Sequence, residues 1–356
     1  MFHRKIVVLT LFTAAVTVPR FSATAQTERR TISGDRIAIY NLAGKVRVEP
    51  GRGSEVVVEI TRGGRDAEQL RIEEGTIRDV ETLRVLYPSD RIVYPSMDPS
   101  SRSTISVRDD GTWGRDKDSR RDGGARNRVE ISGSGRGMEA YADLRILVPR
   151  GQRVEIYQGV GDARVTSVEA DLVVDAAAAD VTTQRTRGAL SLDTGSGSVS
   201  VTDAQGDVKL DTGSGSVTIS GVRGETLKMD TGSGSIDGGD IEVSDLKADV
   251  GSGGVKLQRV RAARVDVDAG SGGTELELLS NIEQLKVDAG SGGVTVHLPA
   301  SLNADVDIET GSGGIDTDFA VQVTRMERRH MIGRIGTGRG RIRIESGSGS
   351  VRLLRG

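Results

Sequence analysis

A short motif, an acid, one residue, Gly-Ser-Gly and then Ser or Gly, recurs through the second half of the chain and constrains the fold more than any other feature. Its first glycine falls at Gly195, Gly213, Gly232, Gly251, Gly270, Gly290, Gly311 and Gly347, in steps of 18, 19, 19, 19, 20, 21 and 36. The last step reads as two periods of 18. Run backwards, the period meets two degenerate copies, Ala177-Ala178-Ala179 and Gly159-Val160-Gly161, so the array extends from Val154 to Leu354.

Each unit alternates apolar and polar residues at period 2, the pattern of a half-buried strand. Val208 and Leu210 point one way and Lys209 and Asp211 the other; beyond the turn, Val217 and Ile219 resume the apolar side. No stretch sustains a 3.6-residue period, so helix is not expected. Two strands and two turns cannot bury a face alone, but stacked units bury a continuous apolar column. The expected fold is all-β: a parallel β-helix-like solenoid with coils of 18 to 21 residues, preferred over an antiparallel meander because like residues recur in like places. The turn glycines suit either fold, supplying positive φ or close backbone approach.

The N-terminal half is less regular. Alternation at Ile37, Ile39, Val46, Val48, Val56, Val58 and Ile60 predicts strands, with more at 83–86, 128–132 and 144–148. Residues 95–128 carry eight Lys/Arg and six Asp but few large apolar side chains. Burial there cannot offset ordering entropy, so a disordered polar insertion is expected, anchored only by Trp113. At the start, His3, Arg4 and Lys5 precede an apolar run from Ile6 to Val18 and the small-x-small site Ala23-Thr24-Ala25, which reads as a signal peptide over residues 1–25. Three regions follow: the leader 1–25, an N-terminal β region 26–150, and the repeat solenoid 151–356. The expected location is the periplasm, the cell surface or the medium, with no membrane span after cleavage.

Composition narrows function. The chain has no Cys, 36% apolar and 3% aromatic residues, and 48 Lys/Arg against 51 Asp/Glu. Thiolate chemistry is removed, and near-balanced charge offers no basic surface to nucleic acid. Glycine-rich phosphate loops are not met: no Gly-x-Gly extends to Gly-x-Gly-x-x-Gly, and no serine lies in Gly-x-Ser-x-Gly. The mature chain has only His297 and His330, and the pattern puts His297 on the polar side of its strand.

The densest chemistry is the acid before each turn: Asp193, Asp211, Asp230, Asp249, Asp268, Asp288, Glu309 and Glu345. Stacking makes these a ladder, and Lys209, Lys228, Lys247, Lys286 and Arg343 form a cation column two residues upstream. Carboxylates about 4.8 Å apart could hold Ca²⁺ or resemble the pair of a retaining glycosidase. They could instead cap the turn N–H groups and pair with the lysines. Repulsion of about 1 to 3 kcal/mol per neighbour, offset by the cation column, favours capping and pairing. The cation ladder Asp193, Asp211, Asp230, Asp249, Asp268 and Asp288 is retained as the lesser alternative; no catalytic residue, metal or cofactor is assigned. Tyr87, Tyr94, Tyr141, Tyr157 and Trp113 show no period that would make a sugar-stacking strip. Arg328, Arg329, His330, Arg334, Arg339, Arg341 and Arg343 cluster near the C-terminus, as a solvated hairpin or a contact for anionic polymer or lipid.

Three stretches carry a family resemblance: Tyr40-Asn41-Leu42-Ala43-Gly44-Lys45-Val46-Arg47-Val48, Leu147-Val148-Pro149-Arg150-Gly151, and the repeated Asp-Thr-Gly-Ser-Gly-Ser-Val. With them the chain resembles the exported β-strand-repeat (putative adhesin) family, a domain of unknown function, over most of residues 31–356. The resemblance implies a solenoid-like β fold at the cell envelope and brings no catalytic residues with it. The expectation is a non-enzymatic envelope protein with a structural or adhesive surface, whose partner is an envelope protein or polymer. The alternatives are a polysaccharide-processing β-helix enzyme, which needs one coil that breaks pattern, or a scaffold or sensor in an envelope stress system.

Overall fold

The computed structural model describes residues 27–114 and 126–356. The signal-peptide reading of residues 1–25 lies outside them, and no described helix is long and apolar enough to cross a membrane. The described chain is all-β, with one short 3-10 turn at Ala67–Gln69 as its sole helical element.

The core is parallel and solenoid-like, with strands in two rows. In the first row Leu190 lies beside Val208, then Leu227, Leu246, Val265, Leu285 and Ile342. In the second, beyond the Gly-rich turns, Val199 lies beside Val217, Ile236, Val255, Thr274, Val294 and Val351. Alternation puts these residues inward, where all but the polar Thr274 belong to one buried apolar cluster running the length of the stack. Burying a Val, Leu or Ile contributes about 1.5–3 kcal/mol, so like residues facing like residues is what fixes the register.

The stack begins earlier than the repeats. Ile37–Pro50 pairs in parallel with Arg153–Thr166 from Ile37↔Val154 to Val48↔Val165. Position 150 therefore does not divide an N-terminal region from a solenoid; residues 51–152 are an excursion between two stacked neighbours. Part of the excursion returns to the edges of the rows, with Val80–Leu86 beside Ile37–Tyr40 and Tyr141–Val148 beside Val46–Pro50.

The expected disordered insertion is corrected where it is described. Arg102–Arg108 pairs antiparallel with Arg126–Ser132, and Arg91–Val93 and Met138–Glu139 complete a four-stranded sheet. Its apolar content is small but concentrated: Tyr94, Ile105, Trp113, Val129 and Ile131 are buried against Leu42, Ala43 and Val160 of the stack. Residues 115–125 of that expectation lie outside the described residues.

The 36-residue step is also corrected. It is not two stacked periods. Gly340–Ser346 pairs with Gln284–Ala289 on one side and Ala304–Thr310 on the other, so the last repeat slides between its two predecessors. The residues between form the hairpin Val321–Glu327 and His330–Ile335, which covers the outer edge of Ala304–Thr310.

Candidate functional site: the carboxylate column

Register in the first row brings together every acid singled out by the repeat. Asp193, Asp211, Asp230, Asp249, Asp268 and Asp288 stand side by side, followed by Glu345 and then Glu309. Asp175 precedes Asp193, and the column is headed by Tyr157 and Tyr40. The Asp175 carboxylate was missed because its turn is Ala177-Ala178-Ala179, although it sits 18 residues before Asp193. Adjacent strands lie about 4.8 Å apart.

The cation column is real but interrupted. Lys209, Lys228 and Lys247 are neighbours; Asp266 comes next, then Lys286, Arg343 and Asp307. Lys286 Nζ lies 3.7 Å from Asp266 Oδ1. Two positions upstream, Arg264 binds Asp245 and reaches Glu283 at 3.1 Å. Grooves beside the column are thus lined with both signs of charge: Asp171, Asp207, Lys209 and Lys228 in one, Lys247, Asp245, Arg264 and Asp266 in the next.

These surroundings act on the acids unequally. Partial burial, then repulsion from Asp211 and Asp249, raises the Asp230 carboxyl above its usual range, against the pull of Lys247 and Lys209. Asp268 is raised by burial and by Asp249 and Asp288. Outside the column, the hydrogen bond from Arg264 holds Asp245 below the usual range.

A residue beside the acids caps three of the turns. The buried Thr that follows three of the acids does it: Thr194, Thr212 and Thr231 accept from the N–H of Gly197, Gly215 and Gly234 at 3.1, 3.0 and 3.1 Å. Each hydroxyl donates in turn to a carbonyl of the preceding repeat, that of Ala179, Gly197 or Gly215. In the first two layers Asn41 and Gln158 take the equivalent inward place; Gln158 donates to Gly44 O at 2.8 Å. Between successive repeats, Asp171, Asp180 and Asp207 accept the backbone N–H groups of Ala189, Ser198 and Thr226. The sequence hint was the polar residue just after five of the eight acids, Thr194, Thr212, Thr231, Thr310 and Ser346, inward by alternation and therefore obliged to find partners.

Of the two roles open to the turn glycines, the structure shows close approach. None of the glycines in the repeated Gly-Ser-Gly turns, from Gly195-Ser196-Gly197 to Gly347-Ser348-Gly349, has positive φ. A Cβ on Gly213 would lie 2.4 Å from Gly195 O, and one on Gly215 2.0 Å from Gly197 O. Close approach of stacked turns is what requires them.

Other candidates disperse or become structural. His297 stands beside Glu277 and Leu354 on the outer side of the second row. His330 Nε2 is 2.8 Å from Asp307 Oδ1 in the C-terminal hairpin. The aromatics are not scattered: Tyr94 and Trp113 are buried with Tyr40, Tyr87, Tyr141 and Tyr157 packed around them. Tyr40 stacks on Tyr157 at 4.4 Å, and Trp113 meets Tyr157 edge-on at 5.9 Å. They seat the inserted sheet on the stack. Of the arginine cluster, Arg334 binds Asp305 at 2.7 Å and Arg343 binds Glu345.

Among the described residues, no three acids or histidines converge on one point as metal ligands would. A linear column instead gives each carboxylate two like neighbours. For acid–base work two carboxylates need environments that push them apart, whereas Asp230 and Asp268 are raised by the same causes.

The Toastrack DUF4097 family, a domain of unknown function, matches residues 143–354. No curated protein matches the chain. Among solved structures, a match is the crystal structure of a putative cell adhesion protein from Clostridium sporogenes, at 10% identity, covering 93% of this chain and 99% of that one, with a TM-score of 0.17.

Proposed function

The chain belongs to the Toastrack family, and from that premise we propose that it is a non-enzymatic protein of the cell envelope whose long strand face is a structural or adhesive surface. In this reading the parallel core is a β-solenoid of 18- to 21-residue coils, delivered by the leader at residues 1–25. The partner is an envelope protein or polymer with charges of both signs. One observation carries the reading: a column of carboxylates beside a column dominated by lysines, repeated at about 4.8 Å, gives many equal contacts rather than one distinct centre. Multiple weak contacts in line convert into avidity for a repetitive partner.

The test is binding of the purified protein to isolated envelope material, against a variant carrying Asp211→Asn, Asp230→Asn and Asp249→Asn. Retention that falls in the variant and falls with salt supports the proposal. Retention indifferent to both, or polysaccharide turnover abolished by one Asp→Asn change, sinks it.

A further inference from the structure

The two ends of the first row each leave a seven-residue strand with one edge unpaired among the described residues: Arg71–Ile77 and Val321–Glu327. Unpaired edges invite another strand; in Val321–Glu327 the register shifts between Val323 and Arg325, and Arg325–Glu327 beyond it pairs regularly with His330–Ile332. Its residues from Gln322 to Glu327 are exposed. Val323 and Met326, at 49% and 63% exposure, are two of the three large exposed hydrophobics among the described residues.

Strand direction decides what can fit. Arg71–Ile77 runs antiparallel to Val80–Leu86, which is parallel to the stack, so this end runs against the stack. Val321–Glu327 is antiparallel to His330–Ile335, itself antiparallel to Ala304–Thr310, so the other end runs with the stack. Two copies placed end to end in the same sense would therefore bring their free edges together antiparallel.

Side chains match in that arrangement. Aligned over their full lengths, Arg71 falls opposite Glu327, Ile72 opposite Met326, and Glu73 opposite Arg325. Both charge pairs are opposite in sign and the pair between them is apolar; such cross-strand pairs stabilise, and like charges in their place destabilise. Self-pairing of Val321–Glu327 over its full length would instead set Val323 against Arg325 and leave Glu327 facing Val321.

We infer that copies of this chain assemble end to end, the Val321–Glu327 edge of one pairing antiparallel with the Arg71–Ile77 edge of the next. The contact is heterologous and does not close, so it generates chains of copies. It goes beyond the adhesive reading and stands or falls separately, since it uses the ends and not the long face.

Sedimentation velocity of the purified protein over a concentration series, with negative-stain imaging, reads the assembly. Growth with concentration is expected. Arg325→Glu and Glu73→Arg should each weaken association by about tenfold or more. The decisive arm mixes the two variants: each junction in the mixture again opposes unlike charges, so alternating chains should form from two preparations that are each defective alone. This rescue also shows that both variants are folded. A protein that stays monomeric across the series, assembly indifferent to either substitution, or a mixture as defective as its components would overturn the inference.

Discussion

The hydroxyl of Thr212 lies 2.9 Å from the carbonyl oxygen of Gly197 and donates to it, tying one turn to the turn beneath. Thr212 Oγ1 in turn accepts the N–H of Gly215 at 3.0 Å. One buried atom thus satisfies a donor in its own repeat and an acceptor in the previous one. Leaving such groups unpaired costs about 1–3 kcal/mol. Thr212→Val, nearly isosteric, should destabilise by that amount, while Thr212→Ser should keep most of it. Chemical denaturation midpoints of the pair decide: equal losses would remove the hydroxyl from the argument.

Stacked turns set the second expectation. Alanine at Gly215 meets Gly197 O at 2.0 Å and at Gly213 meets Gly195 O at 2.4 Å. Each should cost about 1–3 kcal/mol through forced backbone shifts, with Gly215→Ala the worse. Ser214, exposed at the turn apex, should tolerate Ala within about 0.5 kcal/mol. Comparable losses at all three positions would contradict close approach as the cause.

The repeat was legible because period-2 alternation and the Gly-Ser-Gly spacing both follow from one stacking geometry, and the acids were found for the same reason. What escaped was everything non-local. Nothing in the spacing of Gly311 and Gly347 distinguishes two successive layers from a strand that turns back between Gln284–Ala289 and Ala304–Thr310. Alternation marks Ile37–Pro50 as strand but not as a layer of the stack, because its neighbour, Arg153–Thr166, lies a hundred residues on. In the insertion, low average hydrophobicity masked Ile105, which with Trp113 and the flanking Tyr94, Val129 and Ile131 shares one core with the stack. The cap at Thr194 escaped because alternation marks it only as an inward polar residue at the turn.

The column also sets a pH dependence. Burial and like-charged neighbours raise Asp230 above its ordinary value, so the folded state holds that proton more tightly than the unfolded chain. Its contribution to stability is fully present below the unfolded carboxylate range, about pH 4, and is lost as pH rises through the raised folded value. Asp230→Asn should therefore be more stable than the parent near pH 7, with the difference vanishing in acid. Asp245, held low by Arg264, has the opposite sign: its contribution is present above the unfolded value and is lost as pH falls through the lowered one, so Asp245→Asn should be less stable near neutrality. Thermal midpoints from pH 3 to 8 read both, and a parallel response of the two variants would refute the assignment.

Divalent cations test the same acids differently. Lys209, Lys228 and Lys247 run alongside Asp211, Asp230 and Asp249, and each carboxylate lies in a line rather than a cage. Millimolar Ca²⁺ should leave the unfolding midpoint nearly unchanged. Binding to the folded state alone would stabilise by about 2.7 kcal/mol at a hundredfold excess over Kd, so a Ca²⁺-dependent rise that Asp230→Asn removes would return the ladder to the cation sites.

The last expectation concerns the returning strand. Glu345 stands between Asp288 and Glu309, and Ile344 between Val287 and Ile308. Residues 340–356 therefore complete a gap that all earlier repeats leave open, and Ile344 fills it from a fully buried position. Ile344→Ala should cost about 2–5 kcal/mol. Deleting residues 340–356 should do more: Ala304–Thr310 loses its parallel neighbour and keeps only the hairpin Val321–Ile335 beside it. Amide exchange should then become fast throughout residues 304–335, while Leu190–Thr194 and Val208–Thr212, several layers away, stay protected. In a stack built in simple chain order, Ala304–Thr310 would rest on Gln284–Ala289 and survive the deletion. Slow exchange at Val306 and Ile308 in the truncated chain would therefore overturn the intercalated order.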